Sequence, residues 1–196
     1  MTLSSTQKDI LIGTVLGDGY LQKTGEKNAR LRLEHGADQK EYLFWKVKNL
    51  QQFFQGKPKY LERKHPITNR TYKYWRHQSQ STPILGKLRN IFYRNGRKVI
   101  PGNIVKFLTP RSFAVWYMDD GYYYPRDKCS YLYVGNIAKE EAELIVRALE
   151  QKFGLMARVL SKKKGFAIYF SPKETIKLKI LIKDYLLKQF NYKIPS

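Results

Sequence analysis

The chain has 196 residues, is 42% hydrophobic, and carries 37 Lys and Arg against 16 Asp and Glu, a formal charge of +21. That length suits one domain or two small units sharing a core, and so basic a foldable chain predicts a polyanionic partner, nucleic acid first. Cys129 stands alone, which excludes a disulfide framework and a cysteine zinc site, and no apolar run reaches membrane-spanning length.

The first element is Leu11-Ile12-Gly13-Thr14-Val15-Leu16-Gly17-Asp18-Gly19-Tyr20, a short apolar helix that Ser4, Ser5 or Thr6 can cap. Gly13 and Gly17 lie on one face, at a cost of ~1 kcal/mol each against alanine, and become useful only where another backbone approaches closely. Asp18, placed in the last turn, opposes the helix dipole, so its role must lie elsewhere. Asp9 and Asp18 bracket this run, so no secretory leader is expected. A reducing intracellular setting follows: an organelle, or a prokaryotic or viral cytoplasm.

Strands are expected at Tyr20 to Lys23 and at Ala29 to Glu34, turning through Thr24-Gly25. Asp38 is the expected cap of a helix over Gln39 to Phe54, with Leu43, Val47, Leu50 and Phe54 inward and Gly56 as its stop. Strands over Lys59 to His65 and Arg70 to Ser79 follow, joined through Pro66 and Asn69. A helix over Pro83 to Tyr93 ends at Arg94-Asn95-Gly96, ahead of Lys98-Val99-Ile100-Pro101. The three histidines, His35, His65 and His77, lack metal-ligand spacing and are expected at strand or surface positions.

The opening pattern returns 102 residues later as Phe113-Ala114-Val115-Trp116-Tyr117-Met118-Asp119-Asp120-Gly121-Tyr122, opened by Thr109-Pro110. Strands at Tyr122 to Tyr124 and Tyr131 to Val134 flank a turn over Pro125 to Lys128. A helix over Lys139 to Phe153 turns Ala142, Ile145, Leu149 and Phe153 inward and stops at Gly154. Strands over Met156 to Ser161 and Phe166 to Phe170 meet through Lys162 to Gly165, and a helix from Pro172 to Gln189 precedes Tyr192-Lys193-Ile194-Pro195. The order helix, strand, strand, helix, strand, strand, helix is thus written twice. The fold class expected is α+β in two halves, residues 1–105 and 106–196.

If the motif helices pack side by side, Asp18 and Asp120 meet at one edge. Two close carboxylates repel, and a divalent cation removes that cost. Oxygen ligands without cysteine or a histidine pair favour Mg2+ or Mn2+ over zinc, and metals between carboxylates and phosphates suit phosphodiester hydrolysis. Lys98 and Lys193 are candidates to orient water or steady developing charge, against the alternative of solvated surface charges. Gly17 and Asp119 are the neighbouring metal candidates, Asp119 through its carbonyl, with its side chain turned toward a lysine. Arg30, Arg32 and Glu34 share one face of their strand, and Tyr72, Tyr74 and Arg76 share a face of theirs, which suits reading base edges. Lys59, Arg63, Arg70, Arg126, Lys128, Tyr131, Tyr133, Arg158, Lys162 and Lys163 complete the candidate DNA contacts. Interleaved tyrosine and arginine also suits stacking on single strands.

At these residues the chain resembles the LAGLIDADG homing endonucleases. Leu11 to Gly19 and Phe113 to Gly121 match the family signature, with Asp18 and Asp120 at its final acidic position. The run from Leu108 to Gly121 looks like the second motif of the two-motif, intron-encoded subgroup. The resemblance implies a monomer of two pseudo-symmetric αββαββα halves, with saddle-shaped antiparallel sheets over double-stranded DNA. It implies no required protein partner and no membrane. It also implies magnesium-dependent cutting of both strands, with Mn2+ or Ca2+ able to replace Mg2+ for binding, and active-site lysines at Lys98 and Lys193. Val115 stands where the first motif has Gly13, and Asp119 where it has Gly17, so the helix contact is expected to be asymmetric. The alternatives are an RNA maturase for its own intron and a non-catalytic DNA-binding protein of this fold; the two intact aspartates argue against the latter.

Overall fold

A computed structural model describes residues 2–196. The first helix, α1 (Ser5–Leu16), begins at Ser4, whose hydroxyl accepts from the Gln7 backbone while the Gln7 side chain accepts from the Ser4 backbone. This reciprocal cap satisfies two of the free N–H groups at the helix start. Every residue from Ile10 to Leu16 is buried, so α1 is apolar all round rather than striped. It ends at Gly17. Asp18 therefore lies just beyond the helix and not in its last turn, and the expected conflict with the dipole is relieved by unwinding at glycine.

The strands β1 (Tyr20–Lys23), β2 (Ala29–Gly36), β3 (Lys59–Lys64) and β4 (Thr71–Gln78) form an antiparallel sheet in the order β1-β2-β4-β3. Along β2, Ala29, Leu31, Leu33 and His35 are buried and the residues between them half-buried, the strict alternation of a one-sided strand. The helix expected over Gln39 to Phe54 is broken. A 3-10 turn at Ala37–Gln39 leads into α2 (Lys40–Asn49), and a second 3-10 turn occupies Gln51–Phe53. Asp38 sits inside the first turn and caps nothing. The buried residues are Tyr42, Leu43, Lys46, Leu50, Phe53 and Phe54, with Val47 only half-buried, and the Phe53 carbonyl is taken by the Gln80 backbone N–H at 2.7 Å.

Helix α3 (Pro83–Phe92) stops one residue early, because Tyr93 starts a two-residue hairpin. In it β5 (Tyr93–Arg94) pairs with β6 (Arg97–Lys98) around Asn95 and Gly96, both at positive φ. Asn-Gly is the preferred sequence for such a turn. This hairpin gives Lys98 a fixed backbone.

Helix α4 (Pro110–Asp120) has a capping box between Thr109 and Ser112, and residues 112–118 are all buried. It runs straight into β7 (Gly121–Tyr124), which with β8 (Cys129–Gly135), β9 (Arg158–Lys162) and β10 (Gly165–Phe170) forms the second sheet, ordered β7-β8-β10-β9. Helix α5 (Lys139–Phe153) has the expected bounds and ends at Gly154 in the left-handed conformation. Helix α6 (Pro172–Ile182) is shorter than expected. The chain continues in 3-10 turns at Lys183–Tyr185 and Lys188–Lys193.

The two sheets have the same strand order, so the doubled αββαββα pattern is real. By contacts the chain divides into two compact units, one made of the chain up to Gly17 together with Phe92–Ser196, the other Asp18–Ile91. The first sheet belongs to the second of these and the second sheet to the first. Among the described residues no helix is long and apolar enough to cross a membrane.

Candidate active site

Helices α1 and α4 lie against each other in parallel. At their starts, Arg111 donates to the Thr6 hydroxyl at 3.0 Å and pairs with Asp9 at 3.6 Å. In the middle, a Cβ on Gly13 would strike the Ser112 carbonyl and lie 2.6 Å from Val115 Cβ. At their ends, a Cβ on Gly17 would lie 2.6 Å from Asp119 Cβ and meet its carboxylate. The glycines are thus notches in α1, and the residues that replace them in the second motif, Val115 and Asp119, fill those notches. This is the expected asymmetry. The Asp119 side chain lies against Gly17, in the notch that the glycine leaves.

Each motif helix ends under a lysine. Lys98 Nζ donates to the Gly17 carbonyl at 2.6 Å, and Lys193 Nζ donates to the carbonyls of Met118 at 2.6 Å and Asp119 at 3.2 Å. The final carbonyls of a helix lack partners within it and carry its negative dipole end, so an ammonium there is doubly favoured. Neither lysine is a solvated charge: Lys193 is 6% exposed and Lys98 half-buried. The Lys193 carbonyl in turn accepts from the Tyr117 hydroxyl at 2.9 Å, and burial holds that phenol protonated well above its ordinary range. The loose spacing match between Lys98-x-x-Pro and Lys193-x-Pro therefore corresponds to a matching placement.

The two acidic residues differ in setting. Asp120 is the last residue of α4, half-buried, and its Oδ2 accepts from Trp116 Nε1, one turn back, at 3.1 Å. Asp18 is exposed, and its Oδ2 lies 3.8 Å from His35 Nδ1. Sequence reasoning missed what stands behind that histidine. His35 Nε2 lies 3.3 Å from Nζ of Lys46, a lysine with no exposed surface. The signal was available: Lys46 falls one turn after Tyr42 and one before Leu50, on the face that α2 buries.

The strand pairing places many candidate DNA contacts on one face of the first sheet. Arg32 lies opposite Tyr20 and Gln78, Glu34 opposite Arg76, and Arg30 opposite Gln22. Arg76 faces Lys59 on its other side, and Arg63 faces Tyr72. Glu34 Oε1 holds both Arg32 Nε and Arg76 Nε at 3.0 Å, and Arg30 Nε donates to Gln22 at 3.0 Å. The arginine planes are thereby oriented before any ligand arrives. Arg70 is different. It precedes β4, in the turn where its carbonyl accepts from the His65 backbone.

The corresponding face of the second sheet is aromatic. Tyr131 lies opposite Tyr122 and Tyr169, with Tyr124 and Tyr133 at ring distances of 5.3 and 6.0 Å from it. Arg158 lies over the Tyr169 ring at 5.2 Å and Lys162 over Tyr131 at 4.5 Å. Burial among these rings pushes the Tyr133 phenol up to about 12. Arg126 pairs with Asp127 in the β7–β8 turn, where Lys128 takes a positive φ, and Lys163 is exposed at the β9–β10 tip.

Two motif helices in contact, each ending in acid-glycine-tyrosine and each followed by a four-stranded antiparallel sheet, define the class of two-motif DNA endonucleases. A model of the LAGLIDADG DNA endonuclease family matches residues 8–178, and the chain belongs to that family. It is 30% identical to the probable intron-encoded endonuclease 1 of Wickerhamomyces canadensis over 98% of this chain and 85% of that protein. The homing endonuclease I-WcaI, solved bound to its DNA recognition sequence, superposes with a TM-score of 0.92 at 30% identity, covering all of this chain and 88% of that one. I-DmoI, solved in complex with DNA and Mn, shares the fold alone, with a TM-score of 0.55 at 17% identity over 93% of this chain and 99% of that one.

Proposed function

We propose that the chain is a monomeric, site-specific homing endonuclease that makes a double-strand break in a long duplex target by metal-dependent hydrolysis. The observation that carries this reading is the matched pair of motif-helix ends, each with its acidic residue and its own lysine on the final carbonyls. The donors fit a hard cation. Asp18 and Asp120 offer carboxylates, Gly17 and Asp119 offer carbonyl oxygens, and the lone cysteine is Cys129, buried. Mg2+ is the proposed metal, with Ca2+ or Mn2+ able to take its place for binding. When bound, it supplies charge neutralisation at the scissile phosphate.

The chain's own residues supply the rest. Asp18 and Asp120, one from each half, address one strand apiece. Lys98 and Lys193, held rigidly by the helix-end carbonyls, place positive charge beside the developing oxyanion. The first sheet reads base edges with Arg30, Arg32 and Arg76, and the second covers the duplex with Tyr131 and Tyr133. Lys59, Arg63, Tyr72, Arg126, Lys128, Arg158, Lys162 and Lys163 contribute phosphate contacts around those faces.

The test is to incubate purified protein and Mg2+ with a duplex carrying the joined sequences that flank its gene. Discrete double-strand cleavage within that junction is the expected result. Binding without cutting would leave a DNA-binding protein of this fold. Failure to bind the duplex, with stimulation of intron splicing instead, would establish the maturase reading and overturn this one.

A further inference from the structure

Asp120 is braced by its own helix, through the indole N–H of Trp116. The first motif cannot do the same. Thr14 occupies the position equivalent to Trp116, and its buried hydroxyl makes no hydrogen bond. Asp18 also lies outside its helix, beyond the unwound Gly17. One group that faces its carboxylate in the structure is the imidazole of His35, 3.8 Å away through Nδ1.

That imidazole is held from both sides. Nδ1 lies 3.2 Å from Gln39 Oε1, and Nε2 lies 3.3 Å from Lys46 Nζ. Lys46 in turn sits over the face of Tyr42, 4.3 Å from the ring centroid, and Tyr42 packs against His35 at 5.0 Å. A lysine ammonium has three donors and no acceptor. Nε2 therefore accepts, and the proton of a neutral ring resides on Nδ1, where it donates to Gln39 Oε1 and presents the positive edge of the ring to Asp18. The second nitrogen's partner fixes which edge of a histidine donates.

The fold does not need this polar pair. By strand register the second half has Val134 where the first has His35, and counting from the helix starts Lys40 and Lys139 it has Ile145 where the first has Lys46, both of them ordinary apolar residues. A fully buried lysine is rare and costs desolvation energy that two aliphatic side chains would avoid. The pair occurs in the half whose acidic residue lacks an indole brace, and is replaced by aliphatics in the half that has one.

We propose that His35 and Lys46 are positioning residues for Asp18: Lys46 donates to Nε2, the ring proton stays on Nδ1, and that N–H edge orients the carboxylate for its metal ion. The inference rests on the reading of Asp18 as a metal ligand, and the experiment separates the two. Two-bond proton–nitrogen NMR spectra of the parent report which ring nitrogen of His35 carries the proton. Calcium titration of the complex with the flanking-sequence duplex, with Ca2+ in place of the proposed Mg2+, reports metal affinity.

The parent should show the Nδ1–H form, and Lys46→Met should lose it. Calcium affinity should fall ~10–100-fold in Lys46→Met and His35→Phe, the range typical of losing a group that orients a ligand, with partial rescue in His35→Gln, which keeps an N–H donor. An Nε2–H ring in the parent, or unchanged calcium affinity in a folded Lys46→Met or His35→Phe variant, would overturn the proposal. Should Lys46→Met fail to fold, the parent spectrum and the Phe–Gln pair at position 35 decide it. Unchanged calcium affinity in Asp18→Asn would instead sink the metal-ligand reading on which it rests.

Discussion

The two sheets share strand order, with a bulge in β10 between Phe166 and Ala167 that β4 lacks, yet present opposite chemistry. The exposed face of the first carries Arg30, Arg32 and Arg76 locked by Glu34 and Gln22; the equivalent face of the second carries five tyrosines, Tyr122, Tyr124, Tyr131, Tyr133 and Tyr169. Pre-oriented guanidinium groups discriminate bases by paired hydrogen bonds, whereas tyrosines give broad, adaptable contact with single donors. On the proposed reading, one scaffold carries a discriminating half and a permissive half. The motif ends repeat the lesson, with an indole brace at Asp120 and an imidazole–ammonium pair behind Asp18. What is kept between the halves is the pair of lysines on the helix ends.

Those lysines give the largest effect beyond the acids themselves. Lys98→Ala or Lys193→Ala should slow single-turnover cleavage by ~10²–10⁴-fold while duplex affinity changes little. The two should differ in stability. Lys193 is buried and serves two carbonyls, so its loss leaves unsatisfied acceptors and should cost ~1–3 kcal/mol in a denaturant titration, against less for Lys98. Equal stability losses would show that the helix ends are not as differently enclosed as the structure has them.

Gly13 and Gly17 sharpen the contrast between backbone and side-chain contact. Gly13→Ala drives a methyl group into the Ser112 carbonyl and should cost ~1–3 kcal/mol of stability, because the backbone of α4 cannot step aside. Gly17→Ala meets the Asp119 side chain, which can swing away, so it should be felt more in cleavage rate than in unfolding. Thermal unfolding and cleavage measured on both variants check the ranking.

Base discrimination breaks the sheet comparison directly. Arg30→Ala or Arg32→Ala should relax preference at one or two base pairs, a loss of ~1–3 kcal/mol of discrimination at the position concerned. Tyr131→Phe should leave the preference profile nearly flat. Lys163→Ala should weaken all sequences alike and lower the slope of log affinity against log salt by about 0.9. Sharp preferences carried by the tyrosine face would invert the assignment.

The smallest effect is a pH dependence. Burial lowers the His77 pKa, more than its backbone contact with Gly56 raises it, and Nε2 has no partner. Below the ordinary value of about 6.5 the unfolded chain takes up a proton that the folded one resists, so stability should fall with pH there and be unaffected above it. In His77→Leu the acid-side decline should be shallower than in the parent.

Most of the fold was legible because the repeat was. Apolar runs ending in Asp-Gly-Tyr, Asn-Gly and Thr-Gly turns, and alternating strands are local signals, and the structure keeps them nearly in place. The break in α2 was not legible, because Val47 continues a helical period that tertiary packing overrides in favour of Tyr42, Lys46 and Phe53. Lys46 in particular looks like a surface residue until its histidine partner, eleven positions earlier, is brought beside it. The lysines at the motif ends were legible only as loosely repeated spacings. Their hydrogen bonds to carbonyls 81 and 75 residues away are products of the fold.

The central claim is that one acidic residue from each motif is needed to cut. It is tested most directly by following both labelled strands of the flanking-sequence duplex in Mg2+ with Asp18→Asn, Asp120→Asn and Asp119→Asn. No double-strand product is expected from the first two, with duplex affinity retained and nicking of a single strand as the most that remains, and far more residual activity from Asp119→Asn. Full double-strand cleavage by either Asp18→Asn or Asp120→Asn would contradict it.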